Sequence, residues 1–438
     1  MKVTSVVVTP VAFADPPLLN AVGVHEPYAL RAVVEVRTDT GAYGLGESYG
    51  DSAHLELLRH VADELPGLDP FDLNELAGRV GAVVGGRSAD DAHGLIGAGG
   101  SSKTVASVTS PFEVACHDLQ GKHLGRPVSD LLGGATRDRV DFCGYLFAKW
   151  AAHPGHEPDA WGPALDPAGL VAQARLMAER FGFRSFKLKG GVLPPDEEVA
   201  AIRALREAFP GHPLRLDPNA SWDPATAARV AVELAGVLEY LEDPVAGIPA
   251  TAALARIAPM PLATNMCVVT WKDLTEAVPS RAVGVLLGDH HFWGGLKAAQ
   301  HLATACHHFG IGMSMHSNSH LGISLAAMVH LAAATPAIGH DLDTHWPWKR
   351  PEDDVVTRPW TLVDGAITVP RTPGLGVELD REALDRLHEQ YLACGLTRRD
   401  DTGYLARVAP GVRLREDVHE PARQQGPDPL RPHRNDAP

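Results

Sequence analysis

The sequence predicts an α/β protein: a (β/α)8, TIM-like barrel with an N-terminal α+β capping domain that C-terminal residues complete. Three observations carry this. The first 50 residues are rich in β-branched runs with a hairpin signal. From about residue 140 to 345, short apolar runs alternate with Ala-rich stretches, most at about 25–30-residue spacing. Polar and charged residues stand at the C-terminal ends of those runs, where strands buried on both faces should finish apolar.

The elements follow in order. Val3 to Val8 is β-branched and reads as a strand. The start, MKVTSVVVTPVAFADPP, has the Lys, apolar stretch and Ala12-Phe13-Ala14 of a signal peptide, but the stretch is short and Thr9 and Pro10 break it. Asp15 to Pro27 carries Pro and Gly and reads as a loop. Ala29 to Glu47 is two β-runs around Thr38-Asp39-Thr40-Gly41, a hairpin. Helices are predicted over 52–65, 72–82 and 110–124, which closes an α+β unit over 1–125.

The barrel is predicted over 126–370. Its strands are Val140–Phe147, Ser185–Lys189, Leu214–Asp217, Leu238–Glu242, Leu262–Asn265, Val283–Asp289, Ile311–His316 and Gly339–His345. Stretches such as Glu198–Ala208 and Ala225–Ala235 supply the helices between them. Eight such units spend roughly 250 residues. A doubly wound sheet would also alternate, but no GxGxxG or GxxxxGK[ST] turn follows an early strand. Residues 371–419 complete the first domain, and 420–438, rich in Pro and polar residues, form a flexible tail.

Composition narrows the function. Lys plus Arg is 39 against 54 Asp plus Glu, a net charge of −15. Such a chain repels phosphate backbones and anionic lipid, so neither nucleic acid nor a membrane is expected as partner. No apolar run is long enough to span a bilayer. Five scattered cysteines without a CxxC pair fit reduced thiols in the cytoplasm.

In a barrel, all strand C-termini open onto one face, which holds the active site. Lys187 and Lys189 end the second strand, and Asp217 and Asn219 the third. Glu242, Asn265, Asp289, His316 and His345 end the fourth to eighth. Singly, each is a plausible helix cap or turn residue; repeated strand after strand, they have no packing explanation. Asp217, Glu242 and Asn265 bring three oxygen ligands from adjacent strands to one point, and hard oxygen donors select Mg²⁺. Lys187 and Lys189 are two apart, so both face one side, and their mutual repulsion is expected to lower one pKa and make a general base. Opposite, Asp289 is expected to fix the tautomer of His316. Two bases flanking a metal-bound carboxylate is an arrangement for taking a proton α to it, with the metal stabilising the enediolate.

The chain also resembles a known family. FKLKGG, LDPN, LEDP, ATNM, GDHHFW, MHSNSH and DTHW, in this order, resemble the enolase superfamily and, within it, the glucarate dehydratases. The likeness runs from about Asn20 to Asp401 and includes NAVGVHEPY (20–28), GYLF (144–147), PGLGVELD (373–380) and RRDD (398–401). The amide Asn265 as third ligand, with His316-Ser317-Asn318, is the specific part. The resemblance implies Mg²⁺ on Asp217, Glu242 and Asn265, and bases Lys189 and His316, with Asp289 and Lys187 beside them. It implies substrate contacts from Asn20, His25, Ser110, Tyr145, Asn219, Ser317, Asn318, His345 and Arg399. Ser110 stands where the family has Thr, and His290 where it has Pro.

The expected activity is a hydro-lyase acting on a six-carbon acid sugar of the D-glucarate or L-idarate type. Lys189 or His316 takes the C5 proton, and loss of the 4-hydroxyl gives a 4-deoxy-5-keto diacid. Alternatives are a related dehydratase or epimerase with another diacid, and a non-catalytic acid-sugar-binding barrel. A homo-oligomer is expected. Other features read blandly: His316 and His320 lack a zinc HExxH context, His307-His308 and Trp346/Trp348 belong to surface and packing, and Ile323–Ala334 is a buried barrel helix.

Overall fold

A computed structural model describes residues 1–86 and 101–414. The tail expected from residue 420 lies outside the described residues. The N-terminal part contains β1 (Val3–Ala14), β2 (Leu19–Asn20), β3 (Gly23–Val24), β4 (Tyr28–Thr38) and β5 (Tyr43–Tyr49). Helices α1 (Ser52–Glu64), α2 (Leu73–Val84), α3 (Ser101–Leu124) and α4 (Val128–Leu131) follow. β1, β4 and β5 form an antiparallel sheet in that order. The hairpin turn sits where the sequence placed it, with Gly41 at φ 81°.

Three expectations here are corrected. β1 runs on past Pro10 to Ala14, because β1 is an edge strand and a missing N–H is tolerated there. The 15–27 loop contains the small β2–β3 ladder, closed by Asn20 Oδ1 accepting from the N–H groups of Val22 and Gly23 at 3.0 Å. The third helix starts at Ser101 rather than 110, since Pro111 lies inside it although proline in sequence marks a first turn.

The barrel comprises β6 (Arg139–Phe147), α5 (Pro167–Phe181), β7 (Phe186–Lys189), α6 (Pro195–Ala208), β8 (Leu214–Asp217), α7 (Pro224–Glu233), β9 (Tyr240–Glu242) and α8 (Ile248–Ala255). It continues with β10 (Leu262–Thr264), α9 (Trp271–Ser280), β11 (Val285–Leu287), α10 (His290–Trp293), α11 (Leu296–Phe309), β12 (Gly312–Ser314), α12 (Gly322–Ala334) and β13 (Leu342–Thr344). The last elements are β14 (Ala366–Thr368), α13 (Arg381–Cys394) and α14 (Asp401–Val408). β6 to β13 are parallel neighbours around the barrel. The seam between β12 and β13 is bridged by the Asp343 N–H donating to Met315 O at 3.0 Å. β14 pairs antiparallel with the start of β6, at the end away from the catalytic mouth.

Local sequence sets these boundaries. Asp166 and Asp223 cap α5 and α7, each followed by Pro at the first helical position. Thr270 and Asp273 form a capping box on α9. α12 is buried along its whole length, as its unbroken apolar run implies. Several barrel strands end earlier than their apolar runs, so Asn265, Asp289, His316 and His345 stand just past the ladder, on diverging backbone. Among the described residues, no helix is long and apolar enough to cross a membrane.

Two tight contacts hold the N-terminal sheet to the helices around it. α13 covers the free edge of β1: Gln390 Nε2 donates to Ala12 O at 2.8 Å, and His388 Nδ1 lies 2.7 Å from Pro10 O. On the other side, α3 lies so close to β5 that a Cβ on Gly46 would fall 1.9 Å from Pro111 O. Gly46→Ala is therefore expected to push helix and sheet apart and cost about 1–3 kcal/mol, read as a lower denaturation midpoint. An unchanged midpoint would mean that the helix–sheet distance is not fixed at this glycine.

Candidate active site

β7 alternates Phe186 and Leu188 toward the helices with Lys187 and Lys189 toward the barrel axis. Lys187 is fully buried. Its Nζ donates to Glu242 Oε1 at 2.7 Å and Asp343 Oδ2 at 2.8 Å, and lies 3.3 Å from Asp217 Oδ2. It also sits 4.7 Å above the ring of Tyr145. Burial alone would push the ammonium down, but Asp343 and Glu242, with Tyr145 and Asp217, overcome it and hold Lys187 well above its ordinary value. The expectation that two lysines repel each other into a lowered pKa thus fails for Lys187: the carboxylates of neighbouring strands are closer charges than the sequence spacing reveals. Lys189, at the rim, donates to Asp217 Oδ2 at 2.8 Å.

Asp217 and Glu242 are the last residues of β8 and β9, and Asn265 follows β10. Ligand oxygens of Asp217, Glu242 and Asp243 lie within 4.8 Å of one another. Glu242 Oε2 and Asn265 Oδ1 are buried without a hydrogen-bond partner. Burial, with Asp217, Asp343 and Asp243 nearby, raises Glu242 well above the usual carboxylate range against the pull of Lys187. Buried, unpartnered oxygens beside excess negative charge fit a hard divalent cation. Asp243 is engaged differently. At φ 37° it accepts from Thr264 Oγ1 and from the Asn265 N–H, so both its oxygens hold the segment that presents Asn265. Asn219, also left-handed at φ 51°, donates its backbone N–H to Asp217 Oδ1 at 3.0 Å and leaves its own Oδ1 unpartnered.

Across the barrel mouth, Asp289 lies between three imidazoles. Its Oδ1 accepts from the His291 N–H at 2.9 Å and is 2.8 Å from His291 Nδ1. Its Oδ2 is 3.5 Å from His316 Nδ1, and His290 Nδ1 is 3.4 Å from Oδ1. Burial would raise this carboxyl, yet His291, His316 and His290 hold it well below the usual range. His316 is lowered by burial, partly offset by Asp289, and is thereby available as a neutral base. The sequence pointed to the Asp289–His316 pair and missed His291, which lies closer; GDHHFW holds the signal, since the two histidines directly follow the aspartate.

Between the two walls lies a cavity with about 410 Å³ of empty space, open solvent included. Its lining brings together Asn20, His25, Tyr145, Lys189, Asn219, Asn265, His316, Asn318, His345 and Arg399, with Phe147 besides. Ser317 sits behind this lining, its Oγ 3.1 Å from His345 Nδ1. Ser110 is not part of the lining: it is fully buried in α3, its hydroxyl unpartnered. Burial, with His25, His316, His320 and Lys189 around it, pushes His345 well below its ordinary value.

The far end of the cavity is built from outside the barrel. Arg399 makes a two-pronged pair with Asp401, Nε and Nη2 each at 2.8 Å; burial would lower its pKa, but Asp401 and Asp15 hold it raised. Asn20 Nδ2 donates to Asp401 Oδ2 at 2.6 Å, and His25 Nδ1 lies 3.1 Å from Asp15 Oδ2. Arg399 is therefore an already paired cation rather than a free one. Asp15 and Asp401 were not singled out in sequence; for Asp401 the RRDD motif was the available signal.

Comparison with known proteins agrees with this geometry. Residues 169–383 match the family model "Enolase C-terminal domain-like", and residues 2–133 that of the mandelate racemase / muconate lactonizing enzyme N-terminal domain. A Streptomyces coelicolor protein named "Probable glucarate dehydratase" is 52% identical over 417 residues, 93% of this chain and 96% of its own. A crystal structure of an enolase from Thermobispora bispora, complexed with magnesium and formate, is 60% identical with a TM-score of 0.93, over 95% of this chain and 99% of that one. Another from Pseudomonas fluorescens, with bound magnesium, potassium and tartrate, is 48% identical with a TM-score of 0.91, over 94% and 98%.

Lys187→Met removes the cation shared by Glu242, Asp343 and Asp217. Breaking one partner of a buried charge network costs about 3–5 kcal/mol, to be read by chemical denaturation in chelator. The released carboxylates are then pushed up in the folded state, which binds more protons than the unfolded chain. Stability of the variant should rise as pH falls from their raised values toward the ordinary carboxylate range. A variant as stable as the wild type at neutral pH would show that the three acids do not depend on this lysine.

Proposed function

The chain belongs to the enolase superfamily, and from that premise we propose that it dehydrates a six-carbon sugar diacid of the D-glucarate or L-idarate type. The carrying observation is that Lys189 and His316 line one cavity from strands on different sides of the barrel, β7 and β12. The magnesium and tartrate of the Pseudomonas structure, and the name of the Streptomyces relative, support a metal-dependent enzyme for a hydroxylated diacid.

Asp217, Glu242 and Asn265 would hold Mg²⁺, which when bound supplies positive charge to the substrate carboxylate and so acidifies the neighbouring C–H. The chain's own residues do the rest. Lys189 or His316, according to the configuration at C5, takes the C5 proton. The electron pair of that C–H bond forms the C4=C5 double bond as the C4–O bond breaks. Where His316 took the proton, it returns it to the departing hydroxyl; where Lys189 took it, His316 or a neighbour that enters the step protonated supplies one. The hydroxyl leaves as water, and the enol tautomerises to the 5-ketone. Lys187 stays charged and holds Glu242 and Asp217 in place. Asn20, His25 and Arg399 face the distal carboxylate and hydroxyls.

A screen of hexaric acids should find a keto product with one water lost; stereochemical exchange without water loss would turn the reading to an epimerase. Excess chelator should abolish turnover and Mg²⁺ restore it. Asn265→Leu should remove activity while leaving the fold intact, and full activity in chelator would remove the metal from the reading. The two bases are separable in deuterated water. Lys189→Ala should block solvent exchange at C5 for one epimer, and His316→Asn for the other. General acid–base steps are worth ~10²–10⁴-fold, which sets the expected losses. Equal loss of both epimers in both folded variants would sink the two-sided assignment.

A further inference from the structure

Arg31 belongs to β4 of the N-terminal sheet, yet its buried guanidinium reaches the histidines of the barrel mouth. Its Nε donates to Glu47 Oε1 at 2.8 Å, and its Nη2 lies 3.1 Å from His291 Nε2 and 3.4 Å from Ser324 Oγ. Ser324 Oγ is itself 2.8 Å from His291 Nε2. A guanidinium can only donate, so the Arg31–His291 contact is a hydrogen bond only when Nε2 carries no proton. The proton then sits on Nδ1, which donates to Asp289 Oδ1 at 2.8 Å. With Oδ1 also taking the His291 N–H, the carboxylate is fixed with Oδ2 turned toward His316 Nδ1. Phe292, the next residue, stacks on the His316 ring at 5.6 Å, and Tyr49 of β5 stacks on Phe292 at 6.0 Å. Among the described residues nothing comparable joins the N-terminal sheet to Lys189, which donates to Asp217 on the adjacent strand.

We propose that Arg31 and His291 are positioning residues that act through Asp289 to orient His316, so that the N-terminal domain governs one of the two bases and leaves the other alone. This rests on the two-base reading above. It gives the domain interface a part in epimer preference, beyond closing the cavity.

Arg31→Lys leaves Glu47 buried beside a poorer partner and carries a risk of misfolding, so the main arm uses His291. His291→Leu should slow C5 deuterium exchange for the His316-dependent epimer about tenfold or more, a fraction of a full acid–base contribution. KM should hold, and exchange of the Lys189-dependent epimer should stay within about twofold. His291→Asn, whose amide can still donate to Asp289, should recover most of the loss; a merely structural role gives no such epimer split and no such rescue. Equal slowing of both epimers in folded His291→Leu, or no slowing of either, would overturn the proposal while the dehydratase reading stands. A second arm needs no substrate. ¹⁵N-histidine NMR of the full chain, with His291 assigned by difference from His291→Asn, should show His291 protonated on Nδ1. Protonation on Nε2 instead overturns the proposal, even if the wild type exchanges no hexarate and the dehydratase reading itself falls.

Discussion

Lys187 occupies the centre of the barrel with three carboxylates around one ammonium, none of them in contact with water. Burying an unpaired ion costs several kcal/mol even after relaxation, so this arrangement dictates its neighbours. Asp217 takes a second cation from Lys189, and Asp343 has Arg215 Nη1 at 3.8 Å on its other side. Arg215 in turn is tied to Glu239 at 2.7 Å. Glu242 Oε2 and Asp343 Oδ1 each lack a hydrogen-bond partner, and so does the amide oxygen of Asn265. On the reading proposed here, a divalent cation completes the pairing at Glu242 and Asn265.

The same logic joins the two domains. Glu47 crosses from β5 to the start of α12, where it accepts the N–H groups of Leu321 and Ser324 at 2.9 and 2.8 Å. Those are orphan donors of a helix N-terminus, a favourable place for a carboxylate. Burial opposes the charge of Glu47, but Arg31, His320 and the two N–H groups keep its pKa low. Because α12 is buried all round, its first turn has no water to satisfy it; Glu47 of the N-terminal sheet and Asp354, which accepts the Gly322 N–H at 2.9 Å, supply the acceptors. The interface is therefore polar where it meets the catalytic mouth, and this part reaches Asp289 through Arg31 and His291.

Much of the barrel could be read in the sequence because its strands are short, apolar and evenly spaced, and because a (β/α)8 fold sends every strand end to one face. That rule alone gathers Lys189, Asn219, Asn265, His316 and His345 into one cavity, and the lining agrees. What was not readable is pairwise. Two lysines two residues apart look like mutual repellers until Asp343, on the far neighbour of β6, closes on Lys187. Asp289 has three histidines within 3.5 Å, and sequence gives no ranking among them. The start of α3 shows the converse limit: Pro111, which in sequence marks a first turn, concealed that the helix began at Ser101. Arg399 pairs with a neighbour two positions on, a contact that depends on the bend into α14.

A net charge of −15 and the dianionic substrate proposed above look incompatible, and the lining explains why they are not. Salt screens exposed charges beyond about 8–10 Å, so the protein's overall charge acts weakly on a ligand until it is near the mouth. Inside, Lys189 and Arg399 stand on different parts of the lining, and both are already paired with carboxylates. Beside them stand uncharged groups: the amides of Asn20, Asn219, Asn265 and Asn318, the phenol of Tyr145, and His345, which burial keeps neutral. An amide or a neutral imidazole can donate and accept, so it discriminates by where a hydroxyl points rather than by charge. Buried polar groups left unpaired by a wrong stereoisomer cost about 1–3 kcal/mol each. On the reading proposed above, a site built this way selects among carboxylates by hydroxyl configuration, which is the distinction that separates one hexaric acid from another.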